Sequence, residues 1–465
     1  MRRGEGEIEG PRQEPRAALS PSPMSKTLSS WGLRTALSEF REPAFLGDLR
    51  IAKAPLSTLA VGLGRSYGDS GLNDRGLAVS TLSLKRLIEF DDFQGVLRAE
   101  SGASLYELLQ FLVPRGFFLP VVPGTQYVTL GGAVANDIHG KNHHRAGNFG
   151  HHVSRLELLR SNGERVVCSR HEHAELFRAT LGGLGLTGII TWVELHVPRI
   201  GSSLIDQEIL PFSSLDDYFE LSEESDSTHE FTMSWVDVLS SRGNELRGLY
   251  MRGNWAPSGE RAFYPSGKVA RVPVTLPSFV LGTSSVKAFN SLYALKGRMQ
   301  SGASQTAYRP FFFPLDAVSD WNRIYGRRGF YQYQMVVPPA HARDATRALL
   351  NEITLSGEGS FLAVLKHFGA RASDGLLSFP REGVTLALDF ADRGETTLKL
   401  FERLDKIVFE AGGALYAAKD ARMSHAGFRD SVKGGEETLR EFAKYRDPAL
   451  SSSFWRRVME SEAST

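Results

Sequence analysis

The chain has 465 residues, too many for one ordinary hydrophobic core and a length that suits two domains. Hydrophobic residues make up 42% and charged residues 23%, which excludes a wholly disordered chain; 54 basic against 53 acidic residues leave no global field to draw it to nucleic acid or an anionic membrane. A single cysteine, Cys168, excludes an internal disulfide and a cysteine zinc site, and leaves a reducing cytoplasm as the simpler compartment.

Residues 1–23 are rich in Arg, Glu, Pro and Ser and have no apolar h-region. They read as a disordered extension, drawn to residue 30, rather than a secretory signal, and Met24 is an alternative start. No window approaches the ~18 apolar residues of a membrane span. From Leu59 the pattern is strand, glycine turn, strand, with 76–80 as the second strand. Residues 87–90 and 95–100 flank Asp91-Asp92 as a hairpin. Residues 105–112 have helical periodicity with Ser104 as N-cap. A strand is expected over 117–122, ending at Pro123-Gly124, and Thr129 can cap a short helix through Ala135. Residues 156–159 and 165–168 flank Asn162-Gly163 as a second hairpin, 174–180 is helical, and 188–197 is a strand. Many short mixed elements of this kind predict an α+β domain, not a regular βαβ array.

A second region begins near Gly201. It carries strand-like runs over 330–337, 360–367 and 384–390, with helices over 340–355 and 396–411 between them. Sheet with helices on one face is expected. Residues 256–300 differ: Gly, Pro, Ser and Lys interrupt short apolar pieces, so an irregular binding loop or cover is expected there.

Two motifs carry chemistry, and a third that looks like one does not. In Gly62-Leu63-Gly64-Arg65-Ser66-Tyr67-Gly68-Asp69-Ser70, alternate glycines let backbone N–H groups cradle a phosphate and Arg65 adds charge; a plain tight turn is the alternative. The Gly-Lys-Ser/Thr ending of a P-loop is missing. A literal Gly-x-Gly-x-x-Gly occurs at 183–188, but a helix precedes it and a β-branched run follows, the reverse of a dinucleotide fingerprint. It reads as a turn packed against something flat. The second chemical motif runs from Pro123-Gly124-Thr125 through Thr129-Leu130-Gly131-Gly132 to Asn136-Asp137-Ile138-His139-Gly140-Lys141-Asn142-His143-His144. Five histidines between 139 and 152 raise the question of a metal. Gly140 and Asn142 oppose a helix that would pair His139 with His143, and no metalloprotease glutamate is present, so no metal is assigned.

Together these motifs resemble the vanillyl-alcohol-oxidase-like (PCMH-type) FAD flavoproteins, and within them the polyprenyl-phosphoryl-ribose oxidases. The likeness continues through Ser234-Trp235, Gln332-Tyr-Gln334, Lys366-His-Phe-Gly, Leu415-Tyr416-Ala-Ala-Lys419-Asp420 and Arg446-Asp447-Pro448. It implies an FAD domain over 31–200, a substrate domain of antiparallel sheet plus helices inserted at 201–413, and a segment over 414–465 that completes the FAD domain. It implies that 60–70, Gly124, 129–132, 136–139, Ile190 and Tyr416 line the flavin. Many relatives bind flavin covalently through a histidine where this chain has Tyr67, so non-covalent FAD is expected.

The same resemblance implies oxidation of the 2-hydroxyl of a polyprenyl-phosphoryl β-D-ribose to the keto sugar. That is the first half of an epimerisation to the arabinose form for cell-wall or glycan synthesis. An NAD(P)H-dependent keto-sugar reductase is the implied partner, a quinone is one implied electron acceptor, and membrane contact is at most peripheral, at the inner membrane. His139 and Lys419 are the candidate bases, and Lys419 could instead stabilise anionic reduced flavin. Tyr67, Lys141, Trp235, Gln334 and Lys366 are expected on the substrate side, with strand packing as the alternative for Trp235 and Gln334. Two departures from the ribose-oxidase pattern alter the pocket wall: Ala387 replaces a cysteine, and Phe312 replaces a tyrosine. An oxidase of free alditols or aldonolactones, and a catalytically silent flavin or sugar-lipid binder, therefore stay as alternatives.

Overall fold

The computed structural model describes residues 24–52, 55–265, 269–277 and 281–460. The expected extension over 1–23 lies outside the described residues. Residues 24–29, assigned to that extension from the sequence, instead form a paired strand.

Two small sheets build the first region. One contains β1 (Met24–Ser29), β2 (Thr35–Arg41), β3 (Thr58–Val61) and β4 (Leu77–Ser80), in the order β1-β2-β4-β3. The other contains β5 (Leu87–Asp91), β6 (Val96–Glu100), β7 (Val153–Leu159), β8 (Arg165–Ser169) and β9 (Ile189–His196), in the antiparallel order β5-β6-β9-β7-β8. Four helices join them: α1 (Leu105–Leu112), α2 (Leu130–Ala135), α3 (His143–Ala146) and α4 (Ala174–Thr180). Helix α1 starts in a capping box, in which Ser104 Oγ accepts from Glu107 N at 3.2 Å and Glu107 Oε2 accepts from Ser104 N at 3.0 Å. Such caps contribute about 1 kcal/mol. Leu105, Leu108, Leu109 and Leu112 point from α1 into a core shared with β6, β7 and β9.

The strand expected over 117–122 does not form. Phe117 makes an isolated bridge to Arg199, and Phe118 N donates to Pro198 O at 3.0 Å. Pro120 and Pro123 have no N–H for a ladder, and Pro120 O is taken by Asn142 Nδ2 at 2.9 Å.

From Leu204 the strands are β10 (Leu204–Ser214), β11 (Phe231–Val236), β12 (Glu245–Trp255), β13 (Ala270–Arg271), β14 (Gly302–Ala307), β15 (Val318–Ser319), β16 (Phe330–Val337), β17 (Ala363–Phe368), β18 (Gly383–Ala391) and β19 (Ala414–Leu415). Eight of them form one antiparallel sheet, β14-β10-β12-β11-β17-β18-β16-β19, and β13 pairs with β15. Helices α5 (Leu215–Asp226), α6 (Thr283–Met299), α7 (Tyr308–Phe312), α8 (Ala342–Ser356) and α9 (Glu395–Glu410) accompany it. Period-2 alternation divides the sheet into two faces. Tyr333, Met335, Leu365, Leu386 and Leu388 pack on Leu349, Ile353, Phe401 and Leu404 of α8 and α9. Gln332, Gln334, Val364, Lys366, Thr385 and Ala387 face the opposite way, into a cavity.

Helices do not keep to one face. Helix α6 lies on the cavity-side face, where Ala294 packs on Trp235 and Leu249. It also replaces much of the irregular loop expected over 256–300. Within it, Gly297 has a packing role, because a Cβ there would stand 2.1 Å from Leu249 Cδ1.

The C-terminal part adds α10 (His425–Ser431), α11 (Gly435–Tyr445) and α12 (Ser453–Trp455). It returns to the first sheet: Thr58 bridges Leu450, Ser453 N donates to Leu72 O at 2.7 Å, and Arg457 pairs with Asp69 at 2.7 Å. No helix among the described residues is long and apolar enough to cross a membrane.

Candidate active site

A cavity of about 610 Å³ lies between the glycine loop, the α2 segment and the polar face of the large sheet. That volume is in the range of a cofactor or ligand site. The glycine loop leaves β3 and is wedged between two neighbours. A Cβ on Gly62 would meet Thr129 Oγ1 at 2.5 Å, and one on Gly68 would meet Asp420 O at 1.5 Å. The first contact holds the loop against the N-cap of α2, where Thr129 Oγ1 accepts from Gly132 N at 3.2 Å. The second holds it against the segment that carries Lys419. Arg65 stacks over Trp31 at 4.1 Å and donates to Tyr127 O at 3.2 Å.

Most of the sequence-selected residues line this cavity: Gly62, Leu63, Gly64, Arg65, Ser66, Tyr67, Ser70, Gly124, Thr129, Gly131, Gly132, Asn136, Ile138, His139, Lys141, Ile190, Gln334, Lys366, Ala387, Tyr416 and Lys419. Five do not. Gly68 packs under Asp420, Asp69 pairs with Arg457, and Leu130 is buried in the apolar core. Asp137 accepts from Gly150 N at 2.7 Å and from Asn148 and Ser378, so it pins the turn after α2. Burial pushes its carboxyl up to about 6. Trp235 shares a strand face with Met233, which does line the cavity, but lies two residues further on. There α6 covers it: the Tyr293 ring is 4.8 Å away, and the indole Nε1 donates to Phe361 O at 3.1 Å. The turn over 183–188 contributes Leu184, Gly185 and Gly188 to the lining.

The sheet side of the cavity is unusually cationic. His139 sits with Nε2 3.0 Å from Gln334 Nε2 and Nδ1 3.3 Å from Lys366 Nζ. Burial drives the imidazole well below its ordinary value, and Lys366, His143 and Lys419 push the same way. Lys366 Nζ also donates to Gly140 O at 3.3 Å, and burial lowers it to about 8. Lys141 donates to Phe311 O, and burial with Lys366 nearby lowers it to about 7. Lys419 Nζ rests 3.9 Å over the Tyr67 ring. Burial lowers it to about 7, Lys366 adds to the effect, and Asp389 opposes it. Tyr67 is held well above the usual phenol range, first by burial and then by Asp389. Tyr416 closes the site by donating to Asn136 O at 3.0 Å and stacking on Phe379 at 4.5 Å.

Sequence reasoning missed Asp389, whose Oδ1 accepts from Gln332 Nε2 at 2.7 Å. Burial raises this carboxyl to about 7. The signal was present: on β18, Thr385, Ala387 and Asp389 alternate with Leu386, Leu388 and Phe390, which puts the acid on the cavity face. Ser101, Trp31 and Gln332 were missed too, and all three line the cavity. They come from three separate segments, and only folding places them together.

Comparison with known proteins agrees with this geometry. Residues 49–169 match the model of the FAD binding domain family. The chain is 34% identical over 394 residues to a decaprenylphosphoryl-β-D-ribose oxidase from Mycolicibacterium smegmatis, covering 82% of this chain and 84% of that one. It is 30% identical over 335 residues to a protein of the mprA 5' region in Streptomyces coelicolor, covering 69% and 89%. A putative D-arabinono-1,4-lactone oxidase from Neurospora crassa is 32% identical over 132 residues, covering 28% and 23%.

The residues present fit FAD. Ser70 Oγ and Ser101 Oγ are buried on the cavity lining without a partner in the protein. Orphaned hydroxyls of this kind are costly unless a ligand satisfies them. With a binding cradle of this shape and identity extending over most of both chains, the chain belongs to the FAD-dependent oxidoreductase family of the decaprenylphosphoryl-β-D-ribose oxidase.

Proposed function

We propose that this enzyme oxidises the 2-hydroxyl of a polyprenyl-phosphoryl β-D-ribose to the 2-keto sugar, with FAD bound without a covalent link. The carrying observation is the cluster of Lys141, Lys366 and Lys419 in one cavity beside His139 and Tyr67. Two of these lysines, Lys141 and Lys366, held out of water, suit a substrate that brings a phosphate, which a free alditol or lactone does not. FAD supplies the hydride acceptor when bound, held by the glycine loop, α2, Ile190 and Tyr416.

Of the two candidate bases, Lys419 is the better placed. Both ring nitrogens of His139 are engaged, by Gln334 and Lys366, and its basicity is depressed far below neutrality. That role suits orientation of the sugar and of Lys366. Lys419 has its amine at about 7 and facing the cavity, so it can take the hydroxyl proton near neutral pH. Lys366 and Lys141 bind the phosphate, and Ala387 and Phe312 shape the wall around the pentose.

We read residues 201–413 as a substrate domain inserted into the FAD domain over 31–200, which residues 414–465 complete. The Thr58–Leu450 bridge and the Arg457–Asp69 pair support that reading. The keto product requires a nicotinamide-dependent reductase to complete an epimerisation serving arabinan or other cell-wall glycans, and a quinone is a suitable acceptor for the electrons.

Anaerobic flavin bleaching against polyprenyl-phosphoryl pentoses, free alditols and aldonolactones tests the substrate. Bleaching by phosphoryl ribose with appearance of the keto sugar is expected; bleaching by free polyols alone would refute the reading. Tyr67 cannot form the histidyl–flavin bond, so acid precipitation should release all the yellow colour. Flavin retained in the pellet would contradict this.

A further inference from the structure

Helix α6 carries two apolar faces, and only one of them is covered. Val286, Asn290, Ala294 and Gly297 are buried: Ala294 and Gly297 meet Trp235 and Leu249, and Asn290 Nδ2 donates to Asp237 Oδ1 at 2.7 Å. Leu292, Leu295 and Met299 project from the opposite side at helical spacing and are 67%, 56% and 80% exposed. Five of the fifteen large hydrophobic side chains exposed among the described residues lie on this one helix. Such clustering marks a contact surface, whereas the same residues scattered singly would need no explanation.

The charge on this helix selects the partner. Lys287 and Arg298 flank the outward stripe on one side and Lys296 on the other, and α6 contains no acidic residue. Among the described residues none of the three takes part in an ion pair. A second copy of the chain laid on this face would set these cations against one another. An apolar stripe bordered by lysine and arginine instead matches the boundary of a bilayer with anionic headgroups. The neighbourhood extends the match: Thr283 Oγ1 donates to Gly357 O at 2.8 Å, which places the end of α8, with Leu355 83% exposed, beside the start of α6.

The helix also lies next to the cavity. Phe289 packs edge-on to Phe361 at 5.5 Å, and the following residue, Leu362, lines the cavity wall. We propose that α6 is the surface by which the protein settles on an anionic phospholipid bilayer. Its place beside the cavity then lets a prenyl chain stay in the lipid while its sugar enters the site; this second part rests on the lipid-linked substrate proposed above. The near-zero net charge of the whole chain is compatible with this, because the attraction is local to one helix.

The test is flotation of the full-length, FAD-loaded protein with phosphatidylcholine vesicles, with and without phosphatidylglycerol. Wild type should float with the phosphatidylglycerol vesicles and be partly released by salt. Leu292→Glu/Leu295→Glu should keep the flavin spectrum, since neither side chain faces the core, and should bind about tenfold or more weakly. Lys287→Ser/Lys296→Ser should lose the preference for phosphatidylglycerol. Bleaching of the Leu292→Glu/Leu295→Glu variant should be slowed for polyprenyl-phosphoryl ribose embedded in vesicles and unchanged for a water-soluble short-chain analogue. Wild type that stays off phosphatidylglycerol vesicles, or a glutamate variant that binds as wild type does, would overturn the proposal. So would self-association through this face with no vesicle binding. If flotation behaves as expected while no phosphoryl ribose bleaches the flavin, the membrane surface stands and the substrate assignment falls.

Discussion

Lys419→Ala removes the amine that rests 3.9 Å over Tyr67, and with it the proposed base. The pH dependence follows from where that amine titrates. Burial lowers it to about 7 against the pull of Asp389. About nine-tenths of it is then neutral at pH 8 and about a tenth at pH 6. If the neutral amine accepts the hydroxyl proton, wild-type flavin reduction should rise about tenfold per pH unit below 7 and level off above it. In the alanine variant the rate should fall by roughly a hundredfold or more, and this pH dependence should vanish. Lys419→Arg stays protonated, so it should fail too if proton acceptance dominates, and recover part of the rate if positive charge near the reduced ring is the main need. The assay is anaerobic stopped-flow flavin reduction at saturating substrate, in variants whose absorbance shows full FAD loading. A near wild-type rate in Lys419→Ala would remove this residue from the chemistry. A wild-type rate that falls as pH rises through 7 would show that the charged form is the active one.

Burial lowers His143 to about 3 and His152 to about 4, so both favour their neutral forms in the folded state. Their contribution is fully present above pH 6.5 and is lost progressively as pH falls from there toward the folded values, at roughly 2 kcal/mol each between pH 7 and 5. Urea melts at the two pH values should show this loss, and coincident midpoints would refute it. Gly68→Ala places a Cβ 1.5 Å from Asp420 O, a backbone clash that no rotamer relieves. The fold should lose about 3 kcal/mol or more, and bound flavin with it; a wild-type melting temperature and flavin content would count against the wedged loop. Trp235→Phe removes the bond from Nε1 to Phe361 O and should cost about 1 kcal/mol of stability while KM stays within about twofold. A large rise in KM with unchanged stability would put Trp235 in the cavity after all.

The sequence by itself determined the local elements whose signals are local. The Ser104 cap, the Thr129 cap and the Asn162-Gly163 hairpin all formed where side-chain chemistry dictated. It also marked much of the cavity lining, because a glycine loop, Pro-Gly-Thr and a Gly-Gly helix start leave a contiguous pattern. Where competing bonds lay far away in the chain, the reading failed. Residues 117–122 look like a strand until Pro198 and Asn142 take their backbone partners. Residues 256–300 look irregular until α6 forms over much of them, with Gly297 fitted against Leu249. Trp235 looks like a pocket residue until α6 lies across it. The cation cluster is likewise a product of tertiary structure: residues 139, 141, 366 and 419 meet only because the strand alternation of β17 turns Lys366 toward the segment after α2. The depressed basicity of these groups comes from the shared loss of water at that meeting point, which no single stretch of sequence records.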